Sequence, residues 1–270
     1  MKKKTKKSLG EFFRFIGRVL LFIIKIPYYI IKEIILFIGF IIRKTKERNI
    51  KNKREEMIAN YEDFKIINKE KGDYEKSIKK IYSSESIIGI ILGARGSGKS
   101  AIGIKLLENA YSKYNKTCFA IGFNKNDMPG FINIVTSPSE IKNDSIVLID
   151  EGGVLFSSRN AMSTANKILS ELILISRHKN ISILFISQNS SNLDVNILRQ
   201  ADFLILKSSS LLQKEFERKI IQKIYDETQV GFEKNKAEKG IAYIYSNDFK
   251  GFVSNPLPSF WKTSISKSFR

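Results

Sequence analysis

The run Ser86-Ile87-Ile88-Gly89-Ile90-Ile91-Leu92 leads into Gly93-Ala94-Arg95-Gly96-Ser97-Gly98-Lys99-Ser100. Ala101-Ile102-Gly103-Ile104-Lys105-Leu106-Leu107-Glu108-Asn109-Ala110 leads out of it. The first run is apolar and of strand length, and the last has helical spacing. Between them stands the pattern G-x-x-x-x-G-K-[ST], and its setting between strand and helix carries more weight than the pattern itself. Glycines let the backbone turn tightly enough to aim several N–H groups at one anion, and the helix N-terminus adds partial positive charge. Gly93 through Ala101 are therefore expected to cradle the phosphates of a nucleoside triphosphate. Lys99 is placed to reach the β- and γ-phosphates, and the Ser100 hydroxyl to ligate Mg²⁺. Arg95 adds positive charge nearby.

A second apolar run, Ile146-Val147-Leu148-Ile149, ends in Asp150-Glu151. An acid closing a strand beside such a loop positions Mg²⁺, usually through its water ligands, and that role falls to Asp150. A neighbouring glutamate polarises an attacking water, and that role falls to Glu151. A third run, Ile181 to Ser187, closes on Gln188, an amide expected to meet the γ-phosphate or the attacking water. Asn124-Lys125-Asn126-Asp127 matches the guanine-reading N-K-x-D pattern. It precedes the acidic strand, whereas the guanine-reading order requires the reverse. It reads as a polar loop, and the nucleotide as ATP.

From Ser86 onward, strand-like runs fall at Ile87–Leu92, Thr117–Phe123, Phe131–Val135, Ser145–Ile149, Ile181–Ser187 and Asp202–Lys207, then near Ile241–Tyr245 and Phe249–Val253. Helical patterns fall at Lys99–Tyr114, Thr164–Arg177 and Leu211–Thr228. Alternation of this kind predicts an α/β fold: a mostly parallel sheet covered by helices on both faces, with ligands at the carboxyl ends of its strands. The expected division is 1–54 as a basic hydrophobic segment, 55–85 as a linker with mixed polar helix, 86–250 as the nucleotide-binding domain, and 251–270 as a tail.

The chain of 270 residues carries a formal charge of +19. Residues 1–54 hold 16 Lys/Arg against Glu11, Glu33 and Glu47, while the remainder holds 30 basic against 24 acidic residues. Basicity is thus mainly a property of the N-terminal segment. One cysteine, Cys118, excludes an internal disulfide, and one histidine, His178, offers no metal cluster. Both suit a reducing, cytosol-facing domain.

Residues 12–42 are intensely apolar, and Arg18, Lys25 and Lys32 repeat every seventh position as one basic stripe, with a bend expected at Pro27. Val19–Ile42 is long enough to cross a bilayer. Its 17 Leu/Ile/Val/Phe residues contribute about −5 to −10 kcal/mol, and Lys25, Lys32 and Glu33 cost up to ~8 kcal/mol. Spanning and lying in the interface are nearly balanced; either way the segment is expected to anchor the protein to membrane lipid.

The loop, Asp150-Glu151, and the run Ser176-Arg177-His178-Lys179-Asn180-Ile181…Ser187-Gln188…Asn192-Leu193-Asp194…Leu198-Arg199-Gln200-Ala201-Asp202 together resemble the HerA–FtsK superfamily. Within it they are most similar to zonula occludens toxin-like and viral genome-packaging ATPases. The likeness covers roughly residues 86–207. It implies a homo-oligomeric ring that hydrolyses ATP to move DNA at a membrane, its ATPase domain facing the cytoplasm, with membrane or virion proteins as further partners. A ring implies an arginine supplied by a neighbour; Arg159, Arg177 and Arg199 are the candidates, with Arg177 favoured. The alternatives are a membrane ATPase acting on protein in assembly or secretion, and a nucleotide-dependent membrane scaffold.

Overall fold

The structure, a computed structural model, describes residues 30–83, 86–152, 154, 161–262 and 265. The chain divides into Met1–Asn52 and Lys53–Arg270.

Residues 30–55 are helical (α1). Its apolar residues face solvent: Ile31 is 56% exposed, Ile35 63%, Phe37 62% and Ile42 63%. Among the described residues no helix is long and apolar enough to cross a membrane. The expected anchor begins at residue 12, so its residues 12–29 lie outside the described residues.

The rest is built on one nine-stranded sheet. In chain order the elements are β1 (Lys65–Gly72), α2 (Tyr74–Ser83), β2 (Ile88–Leu92), α3 (Lys99–Tyr114), β3 (Thr117–Ile121), β4 (Ile132–Ile134) and β5 (Ser145–Asp150). There follow α4 (Ala161–Lys179), β6 (Ser182–Ile186), α5 (Val195–Gln200), β7 (Phe203–Leu206), α6 (Leu211–Glu215), α7 (Lys219–Lys234), β8 (Ile241–Ser246) and β9 (Phe249–Ser254). The spatial order is β1-β9-β8-β7-β2-β6-β5-β3-β4. From β7 to β4 every pairing is parallel, and β8, β9 and β1 extend the sheet antiparallel.

Strand alternation splits the apolar residues into two cores. Ile91, Leu148, Leu184 and Ile186 face α2 and α3, whose Ile78, Ile81, Ile102 and Leu106 cover that side. Ile90, Leu92, Val147, Ile149 and Phe185 face the opposite way, against Leu169 and Leu172 of α4 and Ile221 and Ile224 of α7. Each such side chain, fully buried, stabilises the fold by about 1.5–3 kcal/mol. Burial on both faces explains why the central strands read as continuous apolar runs.

Three expectations are corrected. Beyond the end of α1, the described residues of 55–85 are helical only at 74–83; Lys65–Gly72 is the edge strand β1, paired with β9 through two register irregularities. Its lysines and irregular pairing suit an exposed edge, where charge and bulges deter pairing with other chains. The tail is likewise not separate from residue 251: β9 runs to Ser254, and Phe260 packs in the α2–α3 core. The predicted single helix Leu211–Thr228 is in fact α6 and α7, broken at Phe216–Arg218. Glu217 turns inward there to accept the Ser190 N–H, and the Arg218 guanidinium donates to the Ser190 carbonyl. Those tertiary bonds outweigh local helix propensity.

The α3 face turned toward Asn60, Glu62 and Ser259 is polar and buried. Lys105, Glu108 and Asn109 are each 0% exposed. Lys105 pairs with Glu108 at 2.9 Å and donates to the Asn60 carbonyl. Glu108 accepts N–H bonds from Asn60 and Ser259, while Asn109 makes a two-way bond with the Glu62 backbone. These groups staple residues 58–63 and 259 to the back of α3.

Candidate active site

All six parallel strands point their carboxyl ends to one edge, and β2 lies between β6 and β7. Residues that follow β2, β5, β6 and β7 therefore converge. After β2 the chain enters the left-handed region at Gly93 (φ 150), Gly96 (φ 78) and Gly98 (φ 91). A Cβ on Gly93 would stand 2.6 Å from the Lys207 Cβ, so both conformation and space select glycine. The loop is tied to β7 by the Ala94 N–H donating to the Ser208 carbonyl at 3.0 Å.

No side chain caps α3 at Gly98, and its first turn holds no acid. Its first N–H groups and its dipole are left for an anion. Lys99 is buried, and its amine donates to the Gly93 and Ala94 carbonyls at 2.7 and 2.9 Å. Burial lowers its pKa, against the raising influence of Asp150, Glu151 and Glu217. The Ser97 hydroxyl is buried without a partner within the same loop, and Arg95 is exposed.

Asp150 closes β5, and its Oδ2 accepts the Ser100 hydroxyl at 2.9 Å while its Oδ1 accepts the Gly152 N–H at 3.0 Å. A serine and a carboxylate at that separation form the hard-oxygen pair that Mg²⁺ uses when phosphate oxygens and waters complete its octahedron. The residues therefore fit that ion. Glu151 is only 4% exposed, and its Oε2 accepts the Ser187 hydroxyl at 2.5 Å. Ser187 follows β6 directly, so neighbouring strands aim and hold this carboxylate.

Gln188 is exposed at the end of β6, and its carbonyl accepts from the Gln213 amide. Arg177 and Arg199 are exposed at the opposite edge of the sheet. Arg177 lies in the last turn of α4, just before β6, where the Lys179 carbonyl accepts the Asp144 N–H ahead of β5. Arg199 ends α5 just before β7. Neither reaches its own loop. Arg159 lies outside the described residues. The N-K-x-D match forms a turn in which the Asn124 side chain accepts the Asn126 N–H at 3.0 Å.

Three contributors have no motif. Ser187 stands in an apolar run and reads as a strand residue. Glu217, in a helix-like stretch, is 5% exposed and accepts from Ser190 N–H and the Gln213 amide at 2.6 and 3.1 Å. Lys207 is 1% exposed and its amine donates to the Gly240 and Ile241 carbonyls and to Asn255 Oδ1. Its stem packs beside Gly93 and Gly98. A lysine closing a strand gives no hint of such burial.

This architecture is a P-loop NTPase fold. No family model and no curated protein matches the chain. Among solved structures it is similar to B204, the DNA-packaging ATPase from Sulfolobus Turreted Icosahedral Virus, at 16% identity and TM-score 0.41, over 63% of this chain and 98% of that one. The genome packaging NTPase B204 from Sulfolobus turreted icosahedral virus 2 in complex with ATP-gammaS matches at 14% identity and TM-score 0.43, over 64% and 98%. A KaiC-like protein of Pyrococcus horikoshii OT3 matches at 10% identity and TM-score 0.40, over 72% and 100%.

Proposed function

We propose that this chain is a membrane-anchored, oligomeric ATPase that couples ATP hydrolysis to movement of DNA. The observation that carries the hydrolytic part is the paired carboxylates at the end of β5: Asp150 on the Ser100 hydroxyl, and Glu151 buried and held by Ser187. A site built only to bind nucleotide has no use for the second acid.

In this reading the loop N–H groups hold the phosphate chain, and the Lys99 amine exchanges its two carbonyl partners for β- and γ-phosphate oxygens. Ser100 and Asp150 would hold Mg²⁺, whose charge would offset that of the phosphates. Glu151 takes the proton of the attacking water, oriented by its bond to Ser187. Gln188, at the carboxyl edge of the adjacent strand, senses the γ-phosphate. Arg177 stands at the edge of the sheet opposite its own subunit's loop, and in this reading it serves a neighbour's site in a head-to-tail ring, where such an arginine accelerates hydrolysis by ~10³–10⁵. The DNA reading rests on the Arg177-His178…Gln188…Asp194…Arg199 pattern, and the anchor on residues 12–42, with virion or membrane proteins as neighbours and the ATPase domain on the cytoplasmic side.

The test is ATP turnover of the full chain with and without DNA across a salt series, beside Glu151→Gln. Turnover that DNA stimulates and salt suppresses supports the reading, since phosphate contacts release counterions. Glu151→Gln is expected to bind ATP and not turn it over. Turnover indifferent to DNA would move the assignment to a protein substrate.

A further inference from the structure

Two loops of the site are bridged by one short segment, residues 208–218. At its start the Ser208 carbonyl accepts the Ala94 N–H of the phosphate loop at 3.0 Å. At its end it grips the loop that follows β6. The Gln213 amide donates to the Gln188 carbonyl, and the Glu217 carboxylate accepts the Ser190 N–H at 2.6 Å. The Ser191 hydroxyl donates to the Phe216 carbonyl at 2.6 Å. The Arg218 N–H and guanidinium fasten on the Ser190 hydroxyl and carbonyl, each at 3.0 Å.

The Gln188 side chain is exposed, so its aim depends on how its backbone is held. Two carboxylates bracket that backbone: Glu151, which accepts the Ser187 hydroxyl, and Glu217, which accepts the Ser190 N–H. Glu217 is 5% exposed and also accepts the Gln213 amide at 3.1 Å. The Gln213 nitrogen thus spends both of its hydrogens, one on Gln188 and one on Glu217. Its oxygen is buried and meets no donor among the described residues, so the nitrogen alone fixes this amide. Of its two acceptors Glu217 carries the charge, which makes that bond the stronger kind.

The partners that hold Glu217 are neutral, a backbone N–H and an amide. A carboxylate taken out of water on such terms adds little to stability. Its field does reach the site: burial lowers the Lys99 pKa, and Glu217 joins Asp150 and Glu151 in opposing that.

We infer that Glu217 is a positioning residue for hydrolysis: through the Ser190 N–H and the Gln213 amide it holds the backbone on which Gln188 stands, and so aims Gln188 at the γ-phosphate or the attacking water. The inference rests on the ATPase reading proposed above and adds to it the group that sets the sensor. It also gives residues 208–218 a task, since the segment tied to the phosphate loop at Ala94 is the one that holds Gln188.

The experiment measures kcat and the ATP dissociation constant for the full chain and for Glu217→Gln, Gln213→Ala and Gln188→Ala. The double variants Gln188→Ala/Glu217→Gln and Gln188→Ala/Gln213→Ala complete two cycles. Glu217→Gln keeps the shape and replaces one acceptor oxygen by a donor. Gln213→Ala cuts the same link from a half-buried position on a five-residue helix, where folding is not at stake. Each single variant is expected to lower kcat by ~10- to 100-fold. ATP affinity should not weaken, because removing a negative charge near Lys99 does not repel phosphate. In the Gln188→Ala background neither change should lower kcat further, since the group they aim is gone. Losses that multiply in the double variants would show that Glu217 acts other than through Gln188, and would overturn the inference. So would an unaltered kcat in Glu217→Gln, or in Gln213→Ala should Glu217→Gln fail to fold. If Gln188→Ala turns over as fast as the unmodified protein, there is no sensor to aim, and the inference falls while the ATPase reading stands. If the unmodified protein hydrolyses no ATP, the ATPase reading itself fails and takes this inference with it.

Discussion

Replacing Lys207 by Met removes a charge from a place where the fold can solvate it only with neutral oxygens. The Nζ atom donates to the Gly240 carbonyl at 2.8 Å, the Ile241 carbonyl at 3.0 Å and Asn255 Oδ1 at 2.6 Å, and none of these carries charge. Burial lowers the ammonium pKa from 10.5 to about 7, against ~10.4 in an unfolded chain. Below pH 7 both states are protonated, and the native state bears the full cost of the buried charge. Between the two values the unfolded chain holds a proton that the native chain has released, so stability rises with pH, by up to ~1.4 kcal/mol per unit. Above the unfolded value both are neutral and the cost is gone. From pH 7, where the native group is half titrated, to pH 9 the gain is about 2 kcal/mol. Met does not titrate and lacks this component. Urea denaturation of both proteins at pH 7, 8 and 9 isolates it, because every other titrating group is common to the two. The unmodified protein should gain about 2 kcal/mol on the variant across that window. A difference that stays flat with pH would refute the view that this lysine is desolvated in the native state.

Ser187→Ala should leave ATP affinity unchanged and lower kcat by ~10- to 100-fold, since it frees Glu151 to leave its aimed position; an unaltered kcat in steady-state assays would show that Ser187 does not orient the base. Glu108→Gln should destabilise the fold by about 3–5 kcal/mol, because Lys105 is left as a buried charge without its partner, and denaturation midpoints decide it. Gly89→Ala places a Cβ 2.1 Å from the Phe203 ring on the adjacent strand, with an expected cost of about 1–3 kcal/mol; an unchanged melting temperature would mean that the ring moves freely.

The parts legible in the sequence are those whose signal is local. The α3 helix occupies the expected Lys99–Tyr114, because the glycines that precede it and the apolar spacing within it are both written in neighbouring residues. Asp150 and Glu151 stood out because a strand buried on both faces has no other reason to end in two acids. What was illegible depends on partners distant in the chain. Nothing near Phe216–Arg218 breaks a helix; the break exists because Ser190 and Leu193 take bonds from Arg218. β1 reads as polar helix because its strand character comes from pairing with β9, which starts 177 residues after β1 ends. Arg177 and Gln188 are few letters apart, on either side of the five strand residues of β6. In space they carry the chain from one edge of the sheet to the other, ~16 Å at 3.3 Å per residue.

The polar staple on α3 has a topological consequence. The Ser259 hydroxyl donates to the Ile58 carbonyl at 3.1 Å, and both Asn60 and Ser259 give N–H bonds to Glu108. Two stretches near the boundaries of this domain, around Asn60 and Ser259, are thus neighbours, fastened to one carboxylate. A linker of a few residues would bridge them, and the domain could then be cut open in a surface turn and still present the same sheet and loop. Circularly permuted chains whose joint keeps Arg54 on one side and the buried Ile265 on the other are expected to fold. The order of elements along the polypeptide is, for this domain, a convention that its geometry does not enforce.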